Sequence, residues 1–283
     1  MTDRLRQFWN FDDLDISEER FRTRLEVESG SGRAEVLTQL ARVEGLRADF
    51  DDGELLIEEA EAIAGRTLVA RARIDLERGR LRRSSGDSGS ALPLFESAFA
   101  LALEADELVI AVDAAHMAAL AAPDRAGFVA WTERGAELAA AHDVARYWLG
   151  PLLNNLGWEY FEAGDNERAL DAFERALRAR ERDPSDANGI ALARYAVGKA
   201  LRTLGRSEEA LPLLEQAVEW AESRGAPDGW LHEELALEYA ALGRLDEARE
   251  HARRALLLLD KADPSLAEDL QRLARLRAIA DDA

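Results

Sequence analysis

The chain offers little with which to break or transfer a bond. His232 and Glu233 open a turn like that of zinc proteases, but such a site needs a second histidine four residues on, and Ala236 stands there. The four histidines, His116, His142, His232 and His251, fall in different repeats of the pattern described below, so no ligand cluster is expected. There is no cysteine, and hence no thiolate nucleophile, thiolate metal site or disulfide. No glycine-rich loop follows a strand, because no stretch reads convincingly as a strand. Carboxylates are abundant, but on so acidic a chain a close pair reads as solvated surface, not an acid–base couple. The sequence therefore predicts no enzyme, no metal and no cofactor. What remains is recognition chemistry: arginines able to make two parallel bonds to a carboxylate, aromatic rings, and the mid-helix pair Asn154-Asn155.

Composition narrows the class. Among 283 residues alanine, leucine, arginine and glutamate dominate, which suits helices. A formal charge of −20 repels a phosphate backbone, so nucleic acid is not expected as a partner. Lys199 and Lys261 are the only lysines; this arginine-for-lysine bias with so much alanine is the mark of a GC-rich, bacterial genome. No N-terminal apolar core reads as a signal peptide and no apolar run is long enough to span a bilayer, so a cytoplasmic protein without a membrane partner is expected.

The stretch that organises the chain is residues 152–181. Its first half carries an apolar stripe at Leu153, Leu156 and Tyr160, with Gly157 on the same side. A turn at Ala163-Gly164-Asp165 follows, and then a second stripe through Ala169, Leu170, Phe173, Ala176 and Leu177. Spacings of three and four on both sides of a Gly-Asp break predict two antiparallel amphipathic helices. A pair of this size cannot bury both faces alone and needs copies of itself on either side.

The order Leu156, Gly157, Tyr160, Gly164, Ala169, Phe173, Ala176 resembles the tetratricopeptide repeat, whose pattern runs Leu-Gly-x-x-Tyr, Gly, Ala, a large apolar residue and Ala. The resemblance implies an all-α, right-handed superhelical solenoid of helix pairs that binds peptides or protein partners. From Ala91 the equivalent position recurs at Gly127, Ala169, Ala210 and Ala248, steps longer than the roughly 34 residues typical of the repeat. In that long-repeat style the chain is similar to kinesin light chains and to bacterial peptide-sensing regulators.

About six pairs are expected between residues 33 and 263: 33–49 with 53–64, turning at Asp51-Asp52-Gly53; 66–83 with 88–104; 106–121 with 124–141; the organising stretch, its first helix reaching back to about Val144; 188–204 with 207–223; and 229–242 with 245–260. Gly150-Pro151 predicts a kink or restart. Before the array, residues 1–32 hold an aromatic knot, Phe8, Trp9, Phe11 and Leu14, expected to fold back on the first helices. A helix with Ser17 as N-cap follows, ended by Ser29-Gly30-Ser31-Gly32. Residues 264–283 read as a terminal capping helix.

In the family the first helix of each pair lines the concave groove. Carried over by register, this points to Arg73, Arg80, Arg83, His116, Asn154, Trp158, Tyr195, Lys199 and Arg202 as groove contacts, with Trp230 near the other rim. The groove so predicted is basic and aromatic, and most carboxylates fall on the outward second helices. It would receive an acidic segment of a partner protein; the competing reading is that these arginines pair with neighbouring glutamates. Asn155 matches the asparagine with which chaperone-binding members grip a C-terminal carboxylate, but the rest of that clamp is absent: His116 alone stands in the preceding pair, and Lys199 and Arg202 lie at other offsets. Trp131, Trp220 and Trp230 read as core or inter-repeat wedges. The expected function is a non-enzymatic scaffold or adaptor. The alternative is a sensor whose groove closes on a small peptide or metabolite and changes superhelical pitch; self-association through end aromatics is a further possibility.

Overall fold

A computed structural model describes residues 3–281. The described residues form fourteen α-helices, three short 3-10 turns and no strand. Helix α1 (Leu14–Val27) precedes six antiparallel pairs: α2 and α3 (Gly30–Leu46, Phe50–Ala64), α4 and α5 (Leu68–Ser84, Ser88–Glu104), α6 and α7 (Leu108–Ala121, Arg125–Ala141), α8 and α9 (Leu149–Glu162, Asn166–Arg180), α10 and α11 (Ala187–Thr203, Ser207–Ser223), α12 and α13 (Gly229–Ala241, Leu245–Ala262). Helix α14 (Leu270–Asp281) packs against α13. The chain divides into two compact units, Met1–Leu152 and Leu153–Ala283. The all-α repeat architecture expected from the sequence is the one observed.

Local chemistry sets the breaks. Gly86, Gly164, Gly205 and Gly243 have positive φ between the two helices of a pair, a conformation that costs a residue with a Cβ. Asp87, Asp124, Asp165, Asp186 and Asp228 then accept backbone N–H groups from the first turn of the next helix. The restart predicted at Gly150-Pro151 is a 3-10 turn over Asp143–Trp148 followed by α8 at Leu149. Pro151 thus lies in the first turn of α8, where its missing N–H removes no intrahelical bond.

Within a pair the helices close on glycine. A Cβ at Gly79 of α4 would lie 2.5 Å from the Phe95 ring of α5, and one at Gly198 of α10 would lie 2.6 Å from Leu214 of α11. Gly157 of α8 stands in the same relation to Phe173 of α9. Phe95, Phe173 and Leu214 are fully buried, and around them the small Ala91, Ala98, Ala169, Ala176, Ala210 and Ala217 complete the contact.

Three expectations about the elements are corrected. Asp13, not Ser17, caps α1; Ser17 is buried, its hydroxyl donating to the Asn10 carbonyl at 2.8 Å and accepting from the Asn10 N–H at 2.7 Å. The Ser29–Gly32 stretch follows the end of α1 at Val27 as expected, but α2 begins within it, at Gly30 rather than at about residue 33. The first turn lies at Arg47–Asp49 rather than at Gly53, with Ala48 taking the positive φ that a glycine would otherwise supply. Gly53 sits inside α3, where Leu81 fills the space of its missing Cβ.

The Gly157→Ala variant is expected to lose roughly 1–3 kcal/mol of stability, because overpacking against a buried ring outweighs the better helix propensity of alanine. Gly89→Ala, where an added Cβ meets nothing within 4 Å, serves as the control and should be neutral or slightly stabilising. Urea unfolding of both checks this.

Candidate functional site

In the first unit the first helices α2, α4 and α6 share a face built of buried charge. Arg73 of α4 is 4% exposed and donates to Glu35 of α2 at 3.2 Å and to both carboxylate oxygens of Asp3. Arg80, also on α4, meets Asp113 of α6 at 2.6 Å and Glu77 at 3.1 Å. Burial pushes the Glu77 carboxyl above the usual range despite Arg80 and Arg42. Burial acts the same way on Asp113, but there Arg80 and Arg42 prevail and hold it low. Arg83 donates its Nε to the Leu120 carbonyl at 3.2 Å. His116 lies against Trp148 with ring centroids 5.6 Å apart, and its burial lowers its pKa.

The N-terminal segment lies on the same unit. Leu5 is fully buried with Phe21, Val36, Leu40 and Val43, and Phe8, Trp9 and Leu14 pack around that cluster. Trp9 Nε1 donates to Gln39 at 2.9 Å, and Arg6 donates to the Tyr147 hydroxyl at 3.1 Å while stacking over its ring.

In the second unit the pattern recurs between α10 and α12. Lys199 and Arg202 each lie 2.6 Å from a carboxylate oxygen of Glu234, whose side chain is 3% exposed. Burial opposes ionisation of Glu234, yet the two cations hold it below the usual range. Lys199 also donates to the Tyr195 hydroxyl at 3.3 Å, and Tyr195 lies 6.3 Å from Trp158, itself edge-on to Phe161 and Phe173. Asn154 is half-buried, and no hydrogen bond joins its side chain or that of Asn155 to another described residue. Beside Tyr195 opens a mostly apolar cavity of about 400 Å³, walled by Leu192, Trp220, Trp230 and Leu231. Leu192 is 54% and Trp230 37% exposed. Trp230 is therefore the rim of a cavity and not a core wedge.

The predicted groove residues thus fall on first helices in both units, but the face is not basic. Each of Arg73, Arg80, Lys199 and Arg202 has a carboxylate partner on a neighbouring first helix. The expectation that carboxylates sit on outward second helices missed Glu35, Glu77, Asp113 and Glu234, all on first helices. A signal for them was present: Arg73 and Glu35 are 38 residues apart and Lys199 and Glu234 are 35 apart, one repeat in each case.

The histidines are not all dispersed. His232 of α12 and His251 of α13 belong to one pair, with their Nδ1 atoms 2.8 Å apart, and His232 Nε2 faces Glu222 at 3.2 Å. Two Nδ1 atoms at that distance share one proton, so the rings cannot both be charged. Burial, and then the charge of His251, bring His232 down from 6.5 to about 4. No group of three or more His, Asp or Glu among the described residues is placed to hold a metal ion. The shifted groups at His232, Glu77 and Asp113 sit in ion-pair and hydrogen-bond networks, which perturb pKa values without catalysis.

Residues 150–183 and 191–224, the α8–α9 and α10–α11 pairs, each match a tetratricopeptide-repeat family. Two of the chain's six helix pairs are therefore tetratricopeptide repeats. Its likeness to curated proteins is partial: 31% identity over 97 residues with the photosystem I assembly protein Ycf3 of Rippkaea orientalis, and 29% over 99 residues with that of Prochlorococcus marinus. Each match covers 34% of this chain, and the chain spans a little over half the length of these relatives. Among solved structures it is similar to the apo form of RapI, with a TM-score of 0.73 and 14% identity over 94% of this chain and 75% of that one. It is also similar to a signal-transduction ATPase with a tetratricopeptide-repeat sensor from Pyrococcus horikoshii, with a TM-score of 0.73 and 15% identity over 99% of this chain and 43% of that one. The apo form of the quorum sensor NprR from B. thuringiensis gives 0.57 and 13% over 95% and 82%. At these identities the structural likeness concerns the fold.

Because the folded-state pKa of His232 lies below its unfolded value, the unfolded chain takes up a proton first as pH falls. Stability is therefore expected to be complete above about pH 6.5 and to drop by up to about 3 kcal/mol as pH falls toward about 4. His232→Gln should flatten that part of the profile, as read from Tm against pH.

Proposed function

We propose that the chain is a non-enzymatic adaptor that binds an extended segment of a partner protein on the first-helix face of its second unit. Tetratricopeptide repeats suggest a protein-interaction scaffold, and the observation that carries the reading is the junction at Tyr195. There a 400 Å³ apolar cavity with Leu192 and Trp230 at its rim is lined by Tyr195, whose hydroxyl accepts from Lys199, and Lys199 shares Glu234 with Arg202. An apolar side chain of the segment fills the cavity, its burial supplying most of the affinity. An acidic residue beside it approaches Lys199 and Arg202, which share the single carboxylate of Glu234 and so keep one positive charge in excess. Trp158 and the amide of Asn154 continue the track along α8.

The choice of test follows from the ion pairs. Reversing Lys199 and Arg202 together would leave Glu234 buried among carboxylates and unfold the face, so the exposed Leu192 is the better probe. A photocrosslinking residue at position 192 is expected to capture a protein partner from native lysate. Leu192→Glu, which should cost no more than about 0.5 kcal/mol of stability, is expected to abolish its retention on an affinity column. Retention unchanged by Leu192→Glu and by Lys199→Gln contradicts the adaptor reading. If no protein is captured and a small molecule instead protects Trp230 from quenching, the face serves a sensor.

A further inference from the structure

The first unit holds a second cavity, of about 160 Å³, bounded on one side by the N-terminal segment and on the other by α2, α4, α6 and the 3-10 turn before α8. Among the side chains that wall it are Trp9, Phe11, Tyr147, Arg6 and Arg42. Most charge around it is consumed. Asp3 and Glu35 are taken by Arg73, with Arg4 also on Glu35; Glu77 and Asp113 are taken by Arg80.

Two guanidinium groups are left differently. Arg42 lies over the rings of Trp9 and Phe11, 5.2 and 5.6 Å from their centroids, and its nearest carboxylates, Glu77 and Asp113, are each 4.0 Å away, beyond hydrogen-bond reach. Arg6 is stacked on Tyr147 at 4.4 Å and bonds its hydroxyl; among the described residues it has no carboxylate partner. An aromatic face fixes the plane of a guanidinium while leaving its N–H edge free. That edge matches the two oxygens of a carboxylate.

We propose that this cavity is a binding site for a carboxylate ligand, held by the N–H edges of Arg42 and Arg6. The volume suits a small dicarboxylic acid or the acidic side chain of a peptide, and the same two arginines serve either. Because Arg42 already balances Glu77 and Asp113 at a distance, the bound anion adds negative charge. Glu77, whose burial favours its neutral form, is placed to offset that by taking up a proton. The site is separate from the face at Tyr195, so neither proposal depends on the other.

The test is calorimetric titration of the full chain with succinate, and separately with an end-blocked tetraglutamate peptide, at low and high salt. Saturable binding of either is expected, weakened by added salt and reduced about tenfold or more by Arg42→Gln. Among the described residues Arg42 makes no hydrogen bond to a carboxylate, so this variant should keep the helical circular dichroism of the parent. If it does not, the exposed Arg6→Gln variant carries the same expectation. Binding of succinate makes the ligand a free acid, and binding of the peptide alone makes it a protein segment. Absence of binding by both probes, or binding equal in wild type and either folded variant, overturns the assignment.

Discussion

The packing of α4 on α5, α8 on α9 and α10 on α11 rests on how closely the two helices of a pair can approach. Glycine at 79, 157 and 198 leaves room for a ring or a leucine from the second helix, and the alanines flanking that side chain let the backbones stay close. The second helix thereby covers one side of the first. What is left for the first helix to present is its remaining face, toward the first helix of the next pair. A residue with a Cβ at those glycines would push the pair apart and turn the first helices out of alignment, so the geometry of both candidate sites follows from a contact that contains no polar atom.

The first helices, once aligned, put like positions of successive repeats side by side, and the chain uses that juxtaposition to pair charges. Arg73 with Glu35, Arg80 with Asp113, and Lys199 and Arg202 with Glu234 join one first helix to another within a unit. Buried pairs of this kind contribute little against an apolar alternative but cost much when one partner is removed. Their effect here is to leave few charges of this face without a partner. The pairing is incomplete in two places, the shared carboxylate at Glu234 and the stacked Arg42, whose nearest carboxylates among the described residues are 4.0 Å away.

The class, the number of helix pairs and nearly all the packing residues were legible in the sequence, because a contact repeated at a fixed offset shows itself as a pattern. Phe95, Phe173 and Leu214 could be picked out by their distance from a glycine turn alone. The first pair was harder: its turn uses Ala48 at positive φ, so the expected glycine signal pointed to Gly53, which is a packing glycine instead. That the first helices carry the arginines and Lys199 was legible, but the carboxylates that neutralise them were expected on the second helices. Arg73 and Glu35 are a repeat apart, and a sequence read one helix at a time tests only neighbours at three and four residues. The His232–His251 contact was missed for a related reason, since both residues were counted along the chain and not across the pair they share. The N-terminal segment gave apolar residues but no period, so its role as a wall of the cavity beside Arg42 became visible only in three dimensions.

The cations of the first-helix face are held by the carboxylates of neighbouring first helices. The most direct measurement is a double-mutant cycle on Lys199→Met and Glu234→Gln, singly and together, by urea unfolding. A coupling energy on the order of 1–3 kcal/mol is predicted for a charged pair buried to this degree. Coupling indistinguishable from zero would mean that Lys199 is an independent surface charge, and the pairing of first helices would have to be abandoned.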